Sequence, residues 1–303
     1  MKAFLIFIVV VLFTGGYFTW IRHNGPFVKK ANLWSIGIYT GSSPFDLFSP
    51  GQIQNPVLTA DHVTDVDAEF FADPFMVKEN SIWYIFFEVL NAETDQGDIA
   101  LATSNDGFNW NYKRIVLDES FHLSYPYVFK WENEYYMIPE SMEANSIRLY
   151  KALEFPHKWI FIKTLIKGPY VDSSIFHRKG LWWVFLEANP KRDDTLKLYY
   201  SNSLYGPFTE HPASPIRKDD PGAARPSGRI IVYKDRIFRF SINTDPEQSA
   251  GGNHVRAFEI TQLTKSSYKE KEVKESPVVK ASGSGWNKDR MHHVDAHRIK
   301  TDN

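Results

Sequence analysis

Short runs of alternating apolar and polar residues recur along this chain, and five of them share one form, a polar residue leading an apolar stretch. They are FFADPFMV from Phe70, YPYVF from Tyr125, DSSIF from Asp172, RPSGRII from Arg225 and HVDAHRI from His293. A period of two puts successive side chains on opposite faces of a pleated strand. After four of the five, a second strand follows across a polar turn and ends on Glu88, Glu140, Glu187 or Asn243. A third strand comes next, as in GDIALATS, SIRLYKA, LKLYYSN and HVRAFEIT, and then a fourth. The starts at Asp73, Tyr125, Asp172, Arg225 and His293 are spaced by 52, 47, 53 and about 70 residues. Four short strands per unit at that spacing predict an all-β fold, a five-bladed β-propeller.

Antiparallel geometry puts the start of a blade's first strand and the end of its second at the same rim. Asp73 then meets Glu88, Tyr125 meets Glu140, Asp172 meets Glu187 and Arg225 meets Asn243, all facing one mouth. The fifth inner strand, His293–Ile299, has almost no chain after it. Residues 33–60 hold LWSIGIYTG, FDLFS and PVLTA, strand-like runs with no sheet of their own. Pairing both ends would close the fifth blade and remove two open edges.

Residues 3–20 are an uncharged apolar stretch behind Lys2, long enough for one helical crossing of a bilayer. It reads as a transmembrane anchor or a cleaved signal segment, with residues 1–30 forming that segment and its basic linker and residues 31–303 the propeller. Either reading exports the propeller, which is expected to be membrane-anchored and extracytoplasmic, or secreted if cleaved. Arg22, Lys29 and Lys30 outnumber the charges ahead of the stretch and pull the other way under the positive-inside rule. Aromatic residues make up 16% of the chain, which suits half-buried sheet surfaces. A net charge of -1 without a long basic run argues against nucleic acid as a partner. Zero cysteines exclude disulfides and thiol chemistry.

The mouth carries the candidate chemistry. Asp73, Glu140, Asp172 and Glu187 are the candidate catalytic residues, and Glu88, Tyr125, Arg225, Arg229, His293 and His297 the candidate substrate contacts. Crowded carboxylates raise one another's pKa, giving a protonated acid beside an ionised base, the pair that glycosidic bond cleavage uses. The bland alternative is that these groups pair with Arg and His and tie blade edges together. In HHVDAH, alternation puts His293, Asp295 and His297 on one face and His292 on the other. Structural hydrogen bonding, substrate contact and a metal ion in the central channel are all open for that run, and no metal or other cofactor is predicted. SNDGFNW, from Ser104, is expected to be a structural turn, and Trp182 and Trp183 to face opposite sides of a second strand.

ADPF, YPYVF and DSSIF, with ATSNDGFNW and SLYGPFTEHP, resemble the five-bladed propellers of family-43 and family-32 glycoside hydrolases. FFADPFMV, YPYVF, IPES, VDSSIF, ARPSGRI and MHHVDAHRI more closely resemble the amino-terminal propeller domain of plant glucosamine inositolphosphorylceramide transferases and its stand-alone bacterial relatives. The second resemblance covers roughly residues 33–300. It implies a role around a glycan or glycolipid head group; in the plant proteins the transferase proper is a separate carboxyl-terminal domain. The hydrolase pattern implies Asp73 as base or nucleophile, puts Tyr125 where those enzymes carry an acid-tuning Asp, and leaves Glu187 or Glu140 as acid. Two functions follow: a glycoside hydrolase or transglycosylase, or a non-catalytic glycan-binding module in glycolipid or surface polysaccharide assembly.

Overall fold

The computed structural model describes residues 34–245 and 254–299, built of β-strands, the connections between them and three short 3-10 helices. A small ribbon of β1 (Thr40–Ser43) and β2 (Asp46–Phe48) precedes four antiparallel sheets. The first is β3 (Ala68–Glu79), β4 (Ile82–Asn91), β5 (Gln96–Ser104) and β6 (Asn111–Leu117). The second is β7 (Ser124–Trp131), β8 (Glu134–Glu140), β9 (Ser146–Glu154) and β10 (Lys158–Lys167). The third is β11 (Val171–Arg178), β12 (Leu181–Glu187), β13 (Leu196–Ser201) and the short β14 (Thr209–Glu210). The fourth is β15 (Ile231–Tyr233), β16 (Arg236–Ile242), β17 (His254–Leu263) and β18 (Tyr268–Glu272), with β19 (Val279–Lys280) also on β17.

These sheets are four propeller blades, where the repeat predicts five. Among the described residues the expected fifth sheet does not form. Val294 makes a single parallel bridge to Gly228, Ile36 bridges Leu58, and β1 and β2 pair only with each other. The reason lies in how the 292–299 segment is held. The Met76 N–H donates to Asp295 Oδ2 at 2.6 Å, taking a side-chain acceptor where a strand would offer a carbonyl. Arg229 Nε donates to Asp295 Oδ1 at 2.8 Å, His297 Nε2 lies 3.0 Å from Asp295 Oδ2, and Val294 N–H reaches Ser227 O at 3.1 Å. One buried carboxylate thus joins β3 to Arg229, and the Val294 N–H ties the same segment to Ser227, without a ladder. The predicted membrane segment, 3–20, lies outside the described residues, and among those described no helix is long and apolar enough to cross a membrane.

Aromatic packing joins the blades. Phe75 and Phe86 of blade one share a buried cluster with Tyr125 and Tyr150 of blade two and Trp182 of blade three. Trp183 faces the other way, into a cluster between blades three and four. SNDGFNW is the expected turn: Phe108 and Asn109 N–H both donate to Asp106 Oδ1 at 2.8 Å, and Trp110 Nε1 closes it on Gly107 O at 3.1 Å.

The first strands of blades one to three share a local irregularity. Pairing with the second strand slips at Asp73–Pro74, Tyr125–Pro126 and Asp172–Ser173, and φ at Asp73, Tyr125 and Asp172 is 51°, 45° and 47°. A slip of this kind is a β-bulge, and it re-aims the side chain at the sheet's end. At blade four the chain uses Gly228 instead, with φ 127°, where an added Cβ would sit 1.8 Å from Val294 O.

Tyr125 is fully buried, contrary to its expected role as a substrate contact. Its hydroxyl accepts the Gly228 N–H at 2.6 Å and lies 2.9 Å from Ser174 Oγ, so it joins blade two to blades three and four. Tyr125→Phe leaves the Gly228 N–H buried without a partner, which costs about 1–3 kcal/mol. The expected outcome is a lower urea midpoint at unchanged m-value; an unchanged midpoint would remove the hydroxyl from the fold's support.

Candidate functional site

The bulge in β3 aims Asp73 into a cavity of about 530 Å³. Asp73, Glu88, Glu140 and Arg225 line it, as the rim argument expects, together with His122, Glu143, Asp193, His292, Trp34 and Phe70. Strand ends explain the placement: Asp73 sits at the slip in β3, Glu88 in β4 beside it, and Glu140 at the last position of β8.

Asp73 is held by two imidazoles. His292 Nε2 lies 2.9 Å and His293 Nδ1 3.4 Å from Asp73 Oδ1. Burial would raise this carboxyl's pKa, but the two rings overcome it and hold the group well below the usual carboxylate range. Glu88 goes the other way, pushed up by burial and by the nearby Asp73 charge, with His122 opposing. The His122 ring accepts the Gly97 N–H at Nδ1, 3.0 Å away, so its proton sits on Nε2, which faces Glu88 Oε1 at 3.3 Å. Glycine is required at 97 because a Cβ there would lie 2.4 Å from Leu123 O.

Glu140 accepts Ser124 Oγ–H at 2.9 Å and Met142 N–H at 2.6 Å. Burial dominates, the Met142 N–H opposes it and the Asp172 charge adds to it, so the carboxyl is pushed up to about 7. Asp172 stands behind the wall. Its Oδ2 takes Arg225 Nε–H at 2.6 Å, and burial still raises its pKa against that guanidinium. Arg225 also reaches Asp193 Oδ2 from Nη1 at 3.2 Å.

The remaining expected site residues do not line the cavity. Glu187 is fully buried and accepts the Asn189 and Thr195 N–H groups, tying the turn after β12. Arg229 is paired with Asp295 and covers the Phe75 and Tyr127 rings. His297 packs on Trp83, with ring centroids 5.9 Å apart. His293 lies behind Asp73 against the Phe75 and Tyr125 rings, and His292 takes the wall position that alternation assigned away from it. The alternation argument fails because 292–299 is not a regular strand. His122, Glu143 and Asp193 escaped the rim expectation because they lie in connections between strands, their one signal being closeness in sequence to Ser124, Glu140 and Glu187, and Trp34 escaped it because it precedes the first strand. Among the described residues no three His or acidic side chains are grouped to hold a metal ion.

A family model described as "Glucosamine inositolphosphorylceramide transferase 1, N-terminal" matches residues 28–303. Curated proteins named glucosamine inositolphosphorylceramide transferase 1 from Oryza sativa subsp. japonica and Arabidopsis thaliana are 37% and 34% identical over 94% and 88% of this chain. The chain spans 42% and 37% of those proteins, less than half of their length. Among solved structures, an exo-beta-1,3-galactanase from Clostridium thermocellum superposes with a TM-score of 0.59 at 12% identity, covering 74% of this chain and 54% of that one. An exo-1,5-alpha-L-arabinanase from a bovine ruminal metagenomic library superposes at 0.57 and 10% identity, covering 77% and 88%. Such identities establish likeness of fold alone.

The raised Glu140 gives a signed pH dependence. Unfolded, the carboxyl ionises near 4.5; folded, near 7. Across that window the folded state keeps a proton that the unfolded state has lost, so stability falls as pH rises and levels off above it. At about 1.4 kcal/mol per pH unit the loss is about 3 kcal/mol. Asp73 has the opposite sign, contributing stability above its ordinary 3.8 that is lost as pH falls. Glu140→Gln mimics the neutral carboxyl. Urea titrations should find it level with the parent near pH 4.5 and more stable by up to about 3 kcal/mol at pH 8; a pH-independent difference would contradict the assignment.

Proposed function

The chain belongs to the family of glucosamine inositolphosphorylceramide transferase 1 amino-terminal domains, and from that premise we propose that its cavity engages a glycan or glycolipid head group and acts on it by acid–base chemistry. The observation that carries this reading is that Asp73 and Glu140 line one cavity, the first beside two histidines that hold its pKa low and the second pushed up to about 7 by burial. Glycosidic bond cleavage needs that division between an acid that protonates the leaving oxygen and a carboxylate that serves as base or nucleophile. In this reading Asp73 is the base or nucleophile, Glu140 the acid, and Glu88 and Arg225 contact the sugar hydroxyls. A volume of about 530 Å³ falls within the usual range for small-ligand sites. Phe70 and Trp34, the latter packed on His292 with ring centroids 4.2 Å apart, add apolar surface to the lining. The relatives' names join an amino sugar to an inositolphosphoryl lipid, which supports a head group as the substrate class.

A second reading, a binding module without turnover, is favoured by three placements. Tyr125 is a buried tie, Glu187 is spent on a turn, and Asp172 is sealed by Arg225. None of these acidic or phenolic groups is free to assist the Asp73 and Glu140 pair.

The experiment assays the full chain on aryl glycosides, oligosaccharides and glycolipid head groups, beside Asp73→Asn and Glu140→Gln. Each variant is expected to lose about 100-fold or more in kcat/KM with its melting transition retained. Parent activity should fall as pH rises through about 7, as Glu140 gives up its proton, and Glu140→Gln should lack that limb. Equal trace turnover in parent and Asp73→Asn would overturn catalysis and leave the binding reading, which titration calorimetry with the same head groups then decides.

A further inference from the structure

Away from the cavity, β10 is the outermost strand of blade two, with β9 on one side and, among the described residues, no strand pairing its other edge. It reads KWIFIKTLIK, and its middle breaks the inside-outside alternation: Ile160, Phe161 and Ile162 are 39%, 45% and 37% exposed. Register explains this. Pairing with β9 slips between Phe161 and Lys163, so Ile162 has no cross-strand partner and turns outward beside residues from both faces. Leu153, near the end of β9, is 56% exposed. Half of the exposed large apolar residues in the described chain therefore sit on this one edge, while Phe48, Tyr205, Val232 and Ile299 are scattered over other elements. Contiguous exposed apolar surface on a soluble domain marks a contact surface.

The charges say what it contacts. Lys158, Lys163 and Lys167 are exposed along the same strand, which has no acidic residue. A fourth cation, Arg148, lies beneath Phe161, with its guanidinium 4.7 Å from that ring and 4.7 Å from Phe121. The acidic neighbours are few: Glu154 lies opposite Lys158, Glu134 is paired to Lys151, and Glu119 accepts the hydroxyl of Tyr150, the cross-strand partner of Phe161. Apolar side chains rimmed by lysines suit a surface that is apolar below and anionic above. We propose that this edge seats on a bilayer bearing anionic lipid, with Ile160, Phe161, Ile162 and Leu153 in the interfacial region and the three lysines reaching the phosphate level. Pairing with a second copy is disfavoured, because lysines on an open strand edge oppose strand-to-strand association.

The absence of cysteine makes the test clean. The full chain carrying Ile162→Cys is labelled with an environment-sensitive fluorophore and mixed with vesicles of phosphatidylcholine alone or with 30% phosphatidylserine, about the anionic content at which surface attraction is felt. Val232→Cys, on β15 of blade four, is the control, so binding through any other part of the chain is read separately. The expected result is a blue shift and quenching by lipid-borne quencher at 162 but not at 232 in the anionic vesicles. Lys158→Glu with Lys163→Glu and Lys167→Glu should weaken that response about tenfold or more. A label at 162 that stays aqueous while the protein binds vesicles overturns the proposal. So does a concentration-dependent blue shift at 162 without lipid, which would make the edge an interface between copies.

Discussion

Asp73, Tyr125 and Asp172 each occupy left-handed backbone at a slip in the pairing between the first and second strands of their blades. Such backbone costs about 1–3 kcal/mol per non-glycine residue. It persists because neighbouring blades lock it: β7 lies against both β3 and β11, and the Tyr125 hydroxyl spans blades two, three and four. The slip also shapes the chemistry. A regular ladder would leave these side chains alternating between the faces of each blade, where they would meet the aromatic packing between sheets. Turned at the bulge, Asp73 faces the cavity, Asp172 backs its wall and Tyr125 becomes a tie.

The cavity's charge arrangement follows from burial set against the partner that each carboxylate found. Asp73 has two imidazoles, Asp172 and Asp193 share Arg225, and Glu88 has His122. Glu140 has only neutral donors, a hydroxyl and a backbone N–H, and is the one held near neutrality. Burial is common to all of them and raises Glu88 and Asp172 even beside His122 and Arg225, whereas two histidines together hold Asp73 low.

The sequence made the repeat legible, since a two-residue alternation with turn residues between runs is local information. It also made Asp73, Glu88, Glu140 and Arg225 legible as rim residues, because antiparallel pairing converts strand position into place. Two things were beyond it. Whether a polar residue at a strand start points into the cavity depends on partners more than 100 residues away, as with Tyr125 and Gly228. The fifth blade failed for a related reason: HVDAHRI has the right alternation, but Asp295 accepts a backbone N–H, Arg229 and His297, and those side-chain bonds replace the ladder that alternation presumes. His292 was misplaced by the same error, and His122 lies in a connection and Trp34 ahead of the first strand, where periodicity carries no information.

The seam between Asp73 and the histidines at 292 and 293 joins residues 219 and 220 positions apart. A ribosome must therefore release the chain as far as His293 before the acidic group in the first blade acquires the partners that keep it charged. Until then Asp73 is one more crowded carboxyl, so a nascent molecule, or one clipped before His292, could own all four blades and still present a chemically immature chamber.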